Sequence, residues 1–175
     1  MLSHCIIFPL DPKMKSQGLL SLAVRNLFFT ILQPGMVAGL IPYYIARDSF
    51  RNYPGHALRF HHYTGMLLFL TGLLILFICI IRFAVEGRGT LSPADPTRRL
   101  VTTGLYRFSR NPMYVGVIMI LIGESVFAQS VDLWVYTAIL FLAFNLFIIF
   151  REEPRLRNDF GKGYDNYCRN VRRWI

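Results

Sequence analysis

Two short stretches concentrate the side chains that can do chemistry: YRFSRNPMYVG from Tyr106 to Gly116, and REE from Arg151 to Glu153, about forty residues later. The first supplies the hydroxyls of Tyr106 and Tyr114, the guanidiniums of Arg107 and Arg110, and the amide of Asn111. The second sets Arg151 beside two adjacent carboxylates. Guanidiniums orient anions through forked hydrogen bonds, an amide both donates and accepts, and paired carboxylates attract a cation. Singly, these residues have commoner roles: arginines snorkel, tyrosines line membrane interfaces, and Pro112 suits the first turn of a helix. Brought together, they recognise a ligand carrying both signs of charge.

The elements that must position them are apolar. The chain has 175 residues, 54% hydrophobic and 15% aromatic, yet a net charge of +9, with a mean hydropathy of +0.40. A bilayer core about 30 Å thick takes roughly 20 apolar helical residues to cross. Leu27 to Ala46 and Thr64 to Ile81 contain no charge, and Val131 to Phe150 has only Asp132 near its start. Met113 to Ser130, interrupted by Glu124, is a shorter fourth run that pairs with the next as a tight helical hairpin. The expected fold is all-α: a polytopic membrane helical bundle of about four transmembrane helices, the last two forming the hairpin, followed by interfacial amphipathic helices. It is read as one integral membrane domain over 1–175, with N-terminal helices in 1–85 and the polar clusters in 86–175.

Four spans place both ends of the chain and the connection 86–110 on one side. Of the 19 Lys and Arg residues, only Arg47, Arg51 and Arg59 fall on the other side, and the remaining 16 share the first. The positive-inside rule makes that side cytoplasmic. The same charges lie near membrane ends and are interrupted by acids and apolar runs, so anionic lipid accounts for them and no nucleic-acid partner is expected. Met1 to Leu10 is too short an apolar run for a cleavable signal peptide, and Lys13 and Lys15 follow it rather than precede it. Cys5, Cys79 and Cys168 form no paired motif, and His56, His61 and His62 lack a partner at ligand spacing, so no metal site is expected.

Four local features complete the reading. Gly35 and Gly39, between Pro34 and Pro42, have the spacing of a close helix contact with a kink. The connection from Glu86 to Gly104 is rich in Gly, Pro, Ser and Thr and reads as a loop. After Glu153, the residues Leu156, Phe160, Tyr164, Tyr167, Val171 and Trp174 recur at helical period, and Gly161 and Gly163 divide them into two short surface helices. Glu124, deep in the third span, must be paired, protonated or facing a cavity, with a structural bond to Ser125 or Asn145 favoured over catalysis.

The hairpin returns the chain to its starting face, which makes Asn111 and Glu152 neighbours. Glutamates just past a helix C-terminus oppose its dipole, so a cation is expected beside them, while the N-terminus opened by Pro112 suits a carboxylate. The sequence of motifs, RRLVTTG, then GLYRFSRNPMYVG, a hydrophobic hairpin, and REEPRLRNDFGKGYDNYCRNV, resembles the isoprenylcysteine carboxyl methyltransferase and phospholipid methyltransferase group of membrane enzymes over about residues 86 to 173. The resemblance implies a small helical bundle that uses S-adenosylmethionine. It assigns cofactor contacts to Leu100, Val101, Tyr106, Asn111, Pro112, Met113, Tyr114 and Glu152, with Glu153 beside them, and no metal. Arg110, Asn111 and Arg151 are the candidates for handling the acceptor.

The sequence departs from that group at two positions. Asn111 stands where the group usually has histidine, and an amide keeps a hydrogen bond but exchanges no proton near neutral pH. Ile148 stands one helical turn before the cofactor glutamate, where the carboxyl methyltransferases place a substrate-binding arginine; Arg151 is the nearest replacement. The expected reaction is methyl transfer to a lipophilic acceptor at the cytoplasmic face, with carboxyl methylation of an isoprenylcysteine-like molecule first. Phospholipid N-methylation and methylation of a hydrophobic thiol are the rivals among enzymes. A membrane assembly or lipid-binding protein is the non-enzymatic rival. The partners expected are membrane lipids and a lipophilic or lipidated substrate.

Overall fold

A computed structural model describes residues 34–51, 59–86 and 100–174. Among these residues the chain is helical, without a strand. A π-helical turn, Met36–Leu40, runs into α1 (Ile41–Ile45), followed by α2 (Arg47–Arg51), α3 (Phe60–Glu86), a 3₁₀ turn (Gly104–Arg107), α4 (Pro112–Ala128), α5 (Val131–Phe147), a second π turn (Ile148–Glu152), α6 (Glu153–Phe160) and α7 (Lys162–Asn170). The first part of the Leu27–Ala46 run, Lys13, Lys15, Arg25, His56 and Cys5 lie outside the described residues, as does most of the loop after Glu86, with Arg88, Arg98 and Arg99.

Two helices, Phe60–Arg82 and Val131–Phe160, are long and apolar enough to cross a membrane. Only 22% and 17% of their most apolar windows are buried inside the protein, and Leu67, Leu74, Phe77 and Leu142 stand exposed on their surfaces. A soluble core helix would bury such residues, so this outward apolar surface fits lipid. The protein is an all-α membrane bundle. Of the other expected spans, α4 has 17 residues, about 25 Å of helix, and Met36–Ile45 is the described part of the first.

The bundle is held along one seam. A Cβ added at Gly65 would lie 2.7 Å from the Gly123 carbonyl oxygen, and one at Gly72 would lie 2.7 Å from that of Gly116. Because 65 meets 123 while 72 meets 116, α3 and α4 run antiparallel with their backbones in contact, as small residues permit between membrane helices. Leu76, Val117, Ile120 and Leu121 fill the core beside this seam. The close packing expected at Gly35 and Gly39 is not found among the described residues, where no atom lies within 4 Å of a Cβ placed at either. The expected irregularity is present there as the π turn.

Gln129, in the left-handed conformation, turns α4 into α5 and forms the expected hairpin. Inside it, Ser125 Oγ donates to the Leu121 carbonyl at 2.7 Å and lies 3.4 Å from Thr137 Oγ1. Tyr136 Oη donates to the Val37 carbonyl at 2.9 Å, fastening α5 to the first helical segment. Neither partner expected for Glu124 holds it. Ser125 serves Leu121 and Thr137, Asn145 serves Phe141 and Trp174, and Glu124 Oε2 has no partner among the described residues.

A second correction concerns the acidic pair. Glu152 and Glu153 do not follow a helix end, because α5 continues through the π turn into α6. The Glu153 N–H reaches back to the Ile148 carbonyl, five residues earlier. A proline in a continuing helix lacks an N–H and crowds the carbonyl four residues back; the wide turn before Pro154 relieves that crowding. The same construction precedes Pro42, where the Ile41 N–H reaches the Met36 carbonyl. The helix dipole therefore does not demand a cation at Glu152.

Candidate functional site

The site forms where α3 ends, α4 begins and α5 gives way to α6. Val101 and Tyr106 are buried against Cys79 near the end of α3, with Met113 of α4 packed beside them. Gly104, at φ +60°, makes the turn that leads into the 3₁₀ segment, and a side chain there would also meet the Arg82 guanidinium at 3.4 Å. Tyr106 is thereby set facing inward. Asn111 precedes α4 as its N-cap residue, and Pro112 opens the helix with no N–H to satisfy.

The two polar stretches do meet. Tyr114 Oη donates to Glu152 Oε2 at 3.1 Å, and the Tyr114 ring packs on Phe144 with centroids 4.7 Å apart. Burial pushes the Tyr106 hydroxyl far above the ordinary tyrosine range, with the Cys79 and Glu152 charges adding to it. Its Oη is buried without a hydrogen-bond partner among the described residues. Glu152 accepts one hydrogen bond among those residues, from Tyr114, so its carboxylate keeps acceptor capacity, and Arg155 and Glu153 are the charges that act on it.

Glu153 has a different task. It is 8% exposed, and its Oε1 lies 3.2 Å from Arg110 Nη1. Arg173 forks onto the same carboxylate through Nε at 2.8 Å and Nη2 at 3.1 Å. Arg110 Nη1 also donates to Cys168 Sγ at 2.9 Å. Two cations thus neutralise one carboxylate and tie α6 to the loop before α4. Arg151 is exposed.

Asn111 is occupied as well: its Nδ2 donates to the Arg173 carbonyl at 3.0 Å. Ser109 Oγ donates to that carbonyl at 3.3 Å, and the Arg110 N–H donates to the Arg172 carbonyl at 2.9 Å. Tyr167 Oη donates to the Tyr106 carbonyl at 2.6 Å, and burial pushes its hydroxyl up to about 12. The sequence reading did not anticipate Ser109, Tyr167, Cys168, Arg173 or Trp174 as neighbours of the site. Val171 and Trp174 were expected to continue the helical period, yet α7 ends at Asn170 and Val171 is extended. Gly161, with φ 51° and ψ −128°, a conformation reserved for glycine, makes the expected break between α6 and α7.

A bundle of apolar helices carrying a buried, mixed-charge polar cluster at one end has the build of an integral membrane protein. The chain belongs to the phospholipid methyltransferase family, whose match runs over residues 60–163 and takes in α3, the hairpin and both halves of the polar cluster. No curated protein and no solved structure gave a match. Membership makes the protein a membrane methyltransferase by family, and methyltransferases of this family generally use S-adenosylmethionine.

Proposed function

We propose that this protein transfers a methyl group from S-adenosylmethionine to a lipophilic acceptor at the cytoplasmic membrane face, with the carboxylate of an isoprenylcysteine-like molecule as that acceptor. The observation that carries the reading is the contrast between two consecutive glutamates. Glu153 is neutralised by Arg110 and Arg173, whereas Glu152 has no ion pair among the described residues, accepts a hydrogen bond from Tyr114 and feels the Arg155 charge only at longer range; the Tyr106 Oη is buried without a partner among those residues. A carboxylate with spare acceptors and a buried, unused hydroxyl fit a ligand that is cationic and bears hydrogen-bonding groups.

Residues for each part of the donor stand around that point. Glu152 would face its ammonium and sulfonium. The free N–H groups of Met113 and Tyr114, in the first turn after Asn111 and Pro112, suit its carboxylate. Leu100, Val101, Tyr106 and Met113 offer apolar and aromatic surface for adenine. Tyr114 fixes the Glu152 carboxylate, and Glu153 holds the helix that carries it. When bound, the donor supplies an electrophilic methyl carbon that the acceptor's nucleophile displaces in line from sulfur. The chain's contribution is alignment and exclusion of water.

The choice of acceptor rests on what the chain lacks in that cluster. Asn111 cannot take a proton, and a carboxylate or thiolate needs none removed. Arg110 is committed to Glu153 and Cys168, and Ile148 is buried in the π turn, so an exposed arginine, with Arg151 nearest Glu152 in the chain, is left to orient an anionic acceptor. A phospholipid amine is the second reading, favoured by the family to which the chain belongs. Purified protein incubated with methyl-labelled cofactor, prenylcysteines, phosphatidylethanolamines and hydrophobic thiols tests both. Label in the prenylcysteine ester supports the first, and label in the phospholipid supports the second. No transfer and no cofactor binding would leave a non-enzymatic assembly or lipid-binding role.

A further inference from the structure

The segment Val171–Trp174 leaves α7 through an extended Val171 and continues as an irregular, bent stretch, yet it makes more specific contacts with the site than either surface helix. Its backbone is held at two carbonyls. That of Arg172 accepts the Arg110 N–H at 2.9 Å, and that of Arg173 accepts both Ser109 Oγ at 3.3 Å and Asn111 Nδ2 at 3.0 Å. Its side chains diverge to two other elements. The Arg173 guanidinium forks onto Glu153 of α6 at 2.8 and 3.1 Å, and this bond holds it in the charged form. Trp174 Nε1 donates to Asn145 Oδ1 of α5 at 3.0 Å, and its ring packs on Phe141 at 4.9 Å between centroids.

Three consecutive residues, Arg172 to Trp174, thus join the loop before α4, the body of α5 and the start of α6. Those are the elements that carry Asn111, Tyr114 and Glu152, where the Tyr114 ring also packs on Phe144. Glu153 is the residue next to Glu152. Whatever sets the Glu153 side chain sets the rotation of the π turn, and through it the direction of the Glu152 carboxylate. The amide at Asn111 has a specific use in this arrangement: its N–H donor must meet a main-chain carbonyl, which a carboxylate at that position cannot do.

We propose that Val171–Trp174 is a clasp that sets the geometry of the methyl-donor site, with Arg173 as its principal positioning residue and Asn111 as its anchor on the α4 side. Neither is required to touch the donor for this role. Arg173 acts through Glu153, and Asn111 acts by fixing the clasp backbone at the mouth of α4. The inference rests on the reading of the polar end as an S-adenosylmethionine site.

The test uses the full chain in detergent or nanodiscs and compares wild type with Arg173→Met, Arg173→Lys and Asn111→Asp. Labelled S-adenosylmethionine binding, the KM for that cofactor, kcat on the acceptor that wild type methylates, and the helical melting curve are measured together. Arg173→Met is expected to weaken cofactor binding and raise its KM by roughly tenfold, as the loss of a forked charge-assisted contact does. Lysine, a point charge without the fork, is expected to restore part of it, and Asn111→Asp to behave like the methionine variant. Glu153 keeps Arg110 in the Arg173 variants, so the melting curve is expected to move far less than the cofactor affinity. Cofactor binding unchanged in Arg173→Met, or lost only in step with melting, overturns the clasp while leaving the donor site intact. A folded wild type that binds no labelled cofactor overturns the donor-site reading, and the clasp with it.

Discussion

The two ends of the α3–α4 pair are built on opposite principles. Along the seam, Gly65 against Gly123 and Gly72 against Gly116 bring backbones together with no side chain between them. At the polar end, Glu153, Arg110, Arg173 and Asn111 tie the start of α4 to α6 and to the segment after α7 by directional, charge-assisted bonds. Lipid offers helices no hydrophobic reason to associate, so packing of small residues must do so inside the bilayer. Near the interface, charges are less costly to keep and specify orientation better than shape does. Stability and site geometry are therefore separable: the seam decides whether the bundle forms, and the polar cluster decides where Glu152 points.

That separation breaks most visibly at the seam. Gly123→Val should be the most damaging substitution, because its Cβ would fall 2.6 Å from the Phe69 backbone nitrogen. Overpacking against backbone costs up to about 3 kcal/mol, and size-exclusion profiles with helical melting should show loss of the monodisperse folded protein. Gly39→Ala, with nothing within 4 Å among the described residues, should change melting by less than about 0.5 kcal/mol. Equal damage from the two would contradict the assignment of the seam.

At the polar end, Glu153→Gln removes the charge shared by two guanidiniums. The expected cost is about 2 kcal/mol, seen in melting and in cofactor affinity alike. Tyr114→Phe should leave melting in place and weaken cofactor binding about fivefold, the value of one hydrogen bond that positions a carboxylate. The smallest effect concerns alkaline pH. The Tyr167 hydroxyl is raised from 10.0 to about 12 by burial, so the fold favours its neutral form. Its stabilising contribution is complete below pH 10 and is lost as pH rises toward 12. Tyr167→Phe should lessen the slope of the melting profile over that window, and an unaltered slope would show that the Tyr167 hydroxyl is not buried.

Much of this arrangement is legible in the sequence where a local rule has no competitor. Pro112 marks the start of α4, Gly161 marks the break before α7, and the hairpin puts Tyr114 within 3.1 Å of Glu152. The seam is less legible because its four glycines lie at spacings of seven in two segments far apart in the chain, while Gly35 and Gly39 imitate the usual short contact motif. The unbroken helix through Glu152 is hidden by Pro154, which reads as a terminator unless a π turn precedes it. The clasp is hidden because Val171 and Trp174 continue the helical period of α7; only the long-range bonds of Arg173 and Trp174 reveal that the helix has already ended.

The most direct test of the central claim is equilibrium binding of labelled S-adenosylmethionine to wild type and Glu152→Ala, with melting curves measured on the same samples. The account predicts saturable binding to wild type, at least about tenfold weaker in the variant, with coincident melting. Equal affinity in both proteins, or no binding to a folded wild type, would contradict it.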